Sequence, residues 1–76
     1  MVENQITLEK GEQIRLQKAV GQKVYSISKN NFGLQPRLFK DIYRDIKERF
    51  GVESYKYLKR HDLQKAIRFI DTWQTK

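Results

Sequence analysis

The apolar positions of the chain recur with the period of an α-helix. In the segment Pro36–Val52, apolar side chains follow one another at steps of one, three or four residues, which places them on one helix face. These side chains are Leu38, Phe39, Ile42, Tyr43, Ile46 and Phe50. Pro36 suits the first helical turn, and Gly51 can adopt the left-handed conformation that ends a helix. The sequence predicts an amphipathic helix over 36–50 whose three aromatic residues form the floor of the core.

A second pattern predicts a long helix from about Leu8 to about Ser28. Thr7 is the expected N-cap, and Glu9 suits the first turn because it lies near the positive end of the helix. The apolar stripe of this helix consists of Leu16, Val20, Val24 and Ile27. Gly11 and Gly21 each weaken a helix by about 1 kcal/mol relative to alanine, so packing must stabilise it.

The same helix carries residues on a second side. At 100° per residue, Ile14, Gly21 and Tyr25 lie nearly opposite Leu16. Single apolar residues are common on protein surfaces, so Ile14 and Tyr25 can simply be exposed. The other interpretation is that one side of the helix packs on the domain and the opposite side on a second copy, with Gly21 permitting close approach.

The sequence after the first helix predicts a loop over 29–35, and it predicts a short helical element and one more helix after the central helix. Over 52–58 the apolar residues recur every third position, which favours a short helical turn capped by Ser54, with two short extended pieces as the alternative. The last helix is predicted from about His61 or Asp62 to about Thr75. Its stripe consists of Leu63, Ala66, Ile67, Ile70 and Trp73.

These elements predict an all-α fold, a small bundle of three main helices plus one short helical or turn element, with a long first helix. Residues 1–7 are predicted to be a flexible N-terminus or a cut end, and residues 8–75 a single helical domain. A domain of 76 residues buries only about 60 % of its unfolded surface, so its core is marginal. The chain has no cysteine and one histidine, so disulfides and structural zinc cannot supplement that core. Oligomerisation or a partner chain is then the remaining way to supplement the core.

The charge of the chain favours an acidic partner. It has 16 Lys and Arg against 9 Asp and Glu, a formal net charge of +7 and a pI near 9.9. No apolar run approaches the roughly 18 residues of a membrane span, and the N-terminus has no signal-peptide stretch. We expect a protein without membrane contact, in the cytoplasm.

The titratable residues do not form a catalytic or metal-binding pattern. The carboxylates lie beside cations on polar helix faces, and His61 has no second ligand at metal spacing. Three pairs on the central helix are four residues apart and are predicted ion pairs: Arg37–Asp41, Arg44–Glu48 and Asp45–Arg49. The phosphate-binding, dinucleotide-binding and serine-hydrolase motifs are missing. We expect no enzymatic activity, no cofactor, no metal and no small-molecule substrate.

The unbalanced positive charge is concentrated near the C-terminus. Residues 51–76 hold six cations against three anions. The candidate nucleic-acid contacts are Lys56, Lys59, Arg60, His61, Lys65 and Arg68. One interpretation is an edge that contacts phosphates, aided by backbone N–H groups at the start of the last helix. The alternative is a generic basic surface without a ligand.

One further pattern is an aromatic helix that runs into Phe-Gly-Val and is followed by Ser-Tyr. Its residues are Leu38–Val52, Ser54, Tyr55, Leu58, Arg60, Ala66–Ile70 and Trp73. The pattern resembles the C-terminal domain of phage and prophage antirepressor proteins, which follows N-terminal modules such as KilA-N-like or BRO-type DNA-binding domains. The resemblance extends through Leu16–Val20 and covers about residues 8–75. The resemblance implies a non-enzymatic regulatory module from a phage, a prophage or their bacterial host. Such a module works beside DNA in repressor control, and the resemblance carries over no binding residue.

Two functions remain open at this point. The favoured one is an oligomerisation or partner-binding module, with Ile14, Gly21 and Tyr25 as contact face and a second copy or a partner such as a repressor as occupant. The other is direct DNA binding through the basic C-terminal edge. If that edge neutralised six phosphates, log affinity would fall with log salt at a slope of about −5.

Overall fold

A computed structural model describes residues 7–29 and 31–74 of the chain. The three α-helices are α1 (Lys10–Ser28), α2 (Gln35–Phe50) and α3 (Leu63–Thr72). Single turns of 3-10 helix lie between them at Phe32–Leu34, Tyr55–Tyr57 and Arg60–Asp62. The described ranges contain no β-strand, only one isolated bridge between Thr7 and Lys59. The predicted all-α bundle with a long first helix is confirmed.

The start of α1 differs from the prediction. The N-cap is Glu9 and not Thr7, and the Glu9 N–H donates to the side chain of Glu12 at 2.8 Å. Thr7 instead pairs with Lys59 in the antiparallel bridge. The predicted Thr7 cap is wrong because this later segment holds the chain extended at Thr7, so the helix begins only beyond it.

The core lies where α1 packs against both α2 and α3. Its buried apolar residues are Leu8, Leu16, Val20, Val24, Leu38, Ile42, Ile46, Leu58, Leu63, Ala66, Ile70 and Trp73. The predicted stripes of α1 and α3 are confirmed, with Ile27 and Ile67 partly buried at the margin. The aromatic floor predicted for α2 is wrong. Phe39, Tyr43 and Phe50 are partly buried around the core, because the aliphatic residues of α2 occupy the centre of its buried face.

The ends of the later elements follow local hydrogen bonding. Gly51 ends α2 as predicted, with φ +67° and its N–H bonded to the Lys47 carbonyl. The predicted turn capped by Ser54 is confirmed, since the Ser54 hydroxyl accepts the Lys56 N–H at 3.3 Å. α3 ends at Thr72, earlier than predicted, because the backbone at the following residue is extended.

Two predictions concern residues that the structure does not describe. Thr75, the predicted end of the last helix, and residues 1–6 of the predicted flexible N-terminus lie outside the described residues. The predicted loop over 29–35 contains the 3-10 turn that leads into α2. No helix in the described ranges is long and apolar enough to cross a membrane.

Candidate interaction surfaces

The first surface is the outer face of α1, formed by Ile14, Gly21 and Tyr25. Ile14 is 42 % exposed and Tyr25 is 60 % exposed, whereas Leu16 and Val20 on the opposite side are fully buried. A Cβ atom placed on Gly21 would meet nothing within 4 Å. On this side of α1 the single chain leaves Ile14 and Tyr25 exposed, whereas Gly21 between them is half-buried.

The predicted basic edge is divided by an ion pair. Arg60 Nε lies 3.1 Å from Glu12 Oε2, so Arg60 is directed toward the start of α1. The pKa of Glu12 is lowered, first because its carboxylate accepts the Glu9 N–H and further because of Arg60. The same pair raises the pKa of Arg60. Arg60 is thus paired within the chain, and its role as a phosphate contact stays a prediction.

The other members of the predicted edge lie in different surroundings. Lys59 is half-buried where it pairs with Thr7, and Lys56 is exposed. His61 is exposed, with Nε2 3.6 Å from Asp62 Oδ1. In the described ranges, no group of three or more His, Cys, Asp or Glu is placed to hold a metal ion.

Lys65 and Arg68 form part of a different cluster. They line a shallow groove together with Arg49 from the end of α2. The rings of Phe50 and Phe69 also line it, edge to face with centroids 6.3 Å apart. We name this the α2–α3 groove. Arg49 was missed at the sequence level because it was expected to pair with Asp45.

The ion pairs within α2 agree only in part with the predicted ones. Arg37 Nε lies 4.0 Å from Asp41, as predicted. Two predicted pairs are not formed: Arg44–Glu48 and Asp45–Arg49. Instead Arg44 lies 3.4 Å from Asp41 and 3.3 Å from Asp45. The second oxygen of Asp45 accepts the indole N–H of Trp73 at 2.7 Å, so Asp45 is directed toward the end of α3.

A third surface lies between α2 and the Tyr55–Tyr57 turn, and we name it the α2 groove. It is lined by Lys40, Tyr43, Arg44, Lys47, Glu53, Ser54 and Tyr55. The Tyr43 and Tyr55 rings lie 5.2 Å apart at 34°. Burial, and then Tyr55, raise the pKa of Tyr43. Lys40, Arg44 and Lys47 follow steps of four and three in the sequence, but Lys40 and Lys47 were not singled out at the sequence level.

Comparisons with curated proteins and with solved structures gave no match. Comparison with protein families matched the ORF6C domain over residues 1–76. The match extends across the whole chain, including the aromatic helix that carried the resemblance. The chain therefore belongs to the ORF6C domain family, the domain found in phage antirepressor-type proteins.

Proposed function

We propose that this phage-associated domain is a non-enzymatic regulatory module of the antirepressor type. It acts by oligomerisation or protein interaction in DNA-associated transcriptional control. The observation that carries the proposal is the outer face of α1, where Tyr25 is 60 % exposed and Ile14 is 42 % exposed on the same side of one helix. The family membership supports a regulatory setting.

The physical reason for covering this face is the small size of the domain. α1 has 19 residues and is therefore about 28 Å long, enough to present a continuous strip to another helix. Covering Ile14 and Tyr25 would remove apolar surface from water, which adds to a core that is marginal for a chain of this length. Gly21, between Ile14 and Tyr25, has no side chain that would keep a second backbone away.

The charges on α1 favour an antiparallel pair of helices. The exposed Lys18 lies between Ile14 and Gly21 on the same side, at helical steps of four and three. Parallel helices in register would place two Lys18 side chains next to each other. In the antiparallel arrangement Ile14 faces Tyr25 of the partner subunit, and Lys18 lies beside the open space at Gly21 of the partner subunit.

The test is solution mass by light scattering at two protein concentrations, in about 0.15 M salt, where exposed charges are strongly screened. We expect the mass to exceed the 9.2 kDa of one chain and to approach twice that value. Tyr25→Asp should return the mass to that of a monomer. Tyr57→Asp is the matched control, because Tyr57 is also 60 % exposed but belongs to the Tyr55–Tyr57 turn and not to α1. A mass of 9.2 kDa at both concentrations would refute self-association.

The arrangement of the helices can be tested because the chain has no cysteine of its own. Cysteines are introduced singly at position 14 or at position 25, and disulfide formation is followed with the two variants separate and mixed. Antiparallel helices predict cross-linking chiefly in the mixture of Ile14→Cys with Tyr25→Cys. Efficient cross-linking of each variant with itself would indicate parallel helices.

Direct nucleic-acid binding is the second candidate, and the α2–α3 groove favours it. There Arg49, Lys65 and Arg68 surround two phenylalanine rings, and Lys56 adds an exposed cation elsewhere on the predicted edge. We count the four exposed cations Arg49, Lys56, Lys65 and Arg68 as phosphate contacts, since Arg60 is paired with Glu12 and Lys59 is half-buried. Log affinity for duplex DNA should then fall with log salt at a slope of about −4. Absence of binding at low salt would refute this candidate.

A further inference from the structure

We propose that the α2 groove binds an acidic amphipathic helix of a partner protein. The inference extends the proposed interaction role to a second surface, which lies apart from the outer face of α1. Three properties of the groove support it: unpaired cations at its rim, an aromatic floor, and a spacing that matches another helix.

The cations at the rim are available to a partner. Lys40 and Lys47 are exposed and form no ion pair with any other described residue. Arg44 lies between them and bonds to Asp41 and Asp45, which lie on the flank of α2 nearer to Trp73. Since these two carboxylates are engaged on that flank, the flank facing the groove keeps a positive charge at Lys40 and at Lys47.

The floor of the groove consists of two tyrosines. Tyr43 and Tyr55 are half-buried, and their contact holds the two rings together beneath the cations. The Tyr43 hydroxyl has no hydrogen-bond partner among the described residues, so it can donate to a carboxylate. An apolar side chain seated on these rings would lose its contact with water, as in other helix-in-groove complexes.

The spacing of the cations matches that of a second α-helix. Lys40 and Lys47 are seven residues apart on α2, which corresponds to two turns and about 10 Å along the axis. A partner helix with carboxylates seven residues apart has the same separation. Its residues midway between the carboxylates then project toward the tyrosine floor, which suits leucine or another apolar residue.

The lining favours a peptide over a nucleic acid. Glu53 lines the groove, and the carboxylates of Asp41 and Asp45 lie on the other flank of α2. Surfaces that bind nucleic acids are much more uniformly positive, since the phosphate charge is continuous along the strand. A helix with two carboxylates can place them at the lysines and keep neutral residues beside Glu53.

The experiment uses the full chain labelled with ¹⁵N and two synthetic alanine-based helical peptides. One peptide has two glutamates seven positions apart and two leucines midway between them. The other has the same composition with its glutamates five positions apart, which places them on different sides of the helix. We expect the first peptide to shift the amide signals of residues 40–47 and 53–55 and the second to bind at least several-fold more weakly. Equal binding of the two peptides would overturn the proposal, and so would shifts confined to other residues.

Charge-matched variants provide the second measurement. Lys40→Ala combined with Lys47→Ala should weaken binding of the first peptide about tenfold, since each exposed ion pair contributes modestly. Lys10→Ala combined with Lys29→Ala removes the same charge from exposed positions outside all three surfaces and should change affinity less than about twofold. Equal losses would show non-specific attraction and refute the groove.

Two further readouts separate this inference from its competitors. The first competitor is nucleic acid, tested with a single-stranded thymidine oligonucleotide. If it shifts the same amide signals at a lower concentration than the peptide, the groove binds nucleic acid and the proposal of an acidic helix is overturned. Solution mass is measured for every variant without peptide. A monomeric chain that binds the first peptide refutes self-association but supports the groove, whereas a dimer that binds neither peptide does the reverse.

Discussion

The Asp45 carboxylate bonds both to Arg44 on its own helix and to Trp73 just beyond the end of α3. Its Oδ2 atom accepts the Trp73 indole N–H at 2.7 Å, and its Oδ1 atom lies 3.3 Å from Arg44. Trp73 is almost fully buried, so its N–H needs a partner inside the structure. This requirement fixes the orientation of Asp45 and explains why the residue does not pair with Arg49.

Asp45→Ala should therefore lower the free energy of unfolding by about 1–3 kcal/mol, because it leaves the buried indole N–H without a charged acceptor. The measurement is urea unfolding followed by the fluorescence of Trp73, the single tryptophan. Glu48→Ala is the control, since Glu48 is an exposed acid on the same helix and should change stability by less than about 0.5 kcal/mol. Equal effects of the two substitutions would contradict the role of the indole hydrogen bond.

Glu12 contributes a pH-dependent contact at the start of α1. Its pKa in the folded chain is lowered from the ordinary value of 4.5, first by the Glu9 N–H and further by Arg60. A carboxylate with a lowered folded pKa stabilises the folded state above its unfolded pKa, and that stability is lost as the pH falls through the folded pKa. The start of α1 should thus loosen in acid, below about pH 4.5.

The check is an NMR titration of the Glu12 carboxyl group in the folded chain and in urea. We expect the lower midpoint in the folded chain. Arg60→Ala should raise that midpoint only in part, because the Glu9 N–H bond at 2.8 Å remains. Identical midpoints in the folded and unfolded chains would contradict the contact.

At the scale of elements, the sequence predicted the buried stripes but not all boundaries. Burial follows the helical period within one segment, so Leu16 and Val20 could be assigned to the core from spacing alone. Boundaries depend on distant residues: Thr7 fails as a cap because Lys59, about fifty positions later, pairs with it. The burial of the aromatic residues of α2 was overestimated. Spacing assigns a residue to a helix face, but it does not tell whether the residue lies at the centre or at the margin of that face.

The same distinction separates the surfaces that the sequence could predict from those it could not. The outer face of α1 belongs to one helix, so periodicity was sufficient to predict it. The α2 groove forms only because Tyr55 packs against Tyr43 of α2, and no local sequence pattern predicts this contact. The basic edge was predicted as one surface, but Arg60 is directed toward α1 while Lys65 lies beside the end of α2.

Replacing glycine with alanine should have opposite effects on stability at two positions, within α1 and at the end of α2. Gly21→Ala should stabilise the monomer by about 0.5–1 kcal/mol, since the new methyl group meets nothing within 4 Å and alanine favours the helix. Gly51→Ala should destabilise it by about 1 kcal/mol, because φ of +67° is unfavourable for alanine. Both changes in the free energy of unfolding can be measured by chemical unfolding at low protein concentration. If the α1 helices approach closely in a dimer, Gly21→Ala should also weaken association.

On the scale of the whole molecule, α1 is the element to which the other segments attach. Leu8 N–H donates to the Leu58 carbonyl at 3.1 Å near its start, Gln17 bonds to the Tyr55 hydroxyl, and Lys23 bonds to the Asp71 carbonyl. These contacts use one side of α1 and leave its outer face free. A partner on that face would therefore stabilise the helix against which α2 and α3 pack.

Association through α1 should make the melting temperature depend on protein concentration. If the folded dimer unfolds to separate chains, a tenfold rise in concentration stabilises each chain by about 0.7 kcal/mol, because RT ln 10 is shared by two chains. For a domain of this size the melting temperature should rise by about 3–5 °C. Circular dichroism melts at two concentrations check this. Tyr57→Asp should keep the dependence, whereas Tyr25→Asp should abolish it. A melting temperature of the unsubstituted chain that does not change with concentration would show that the outer face of α1 is not covered by a second copy.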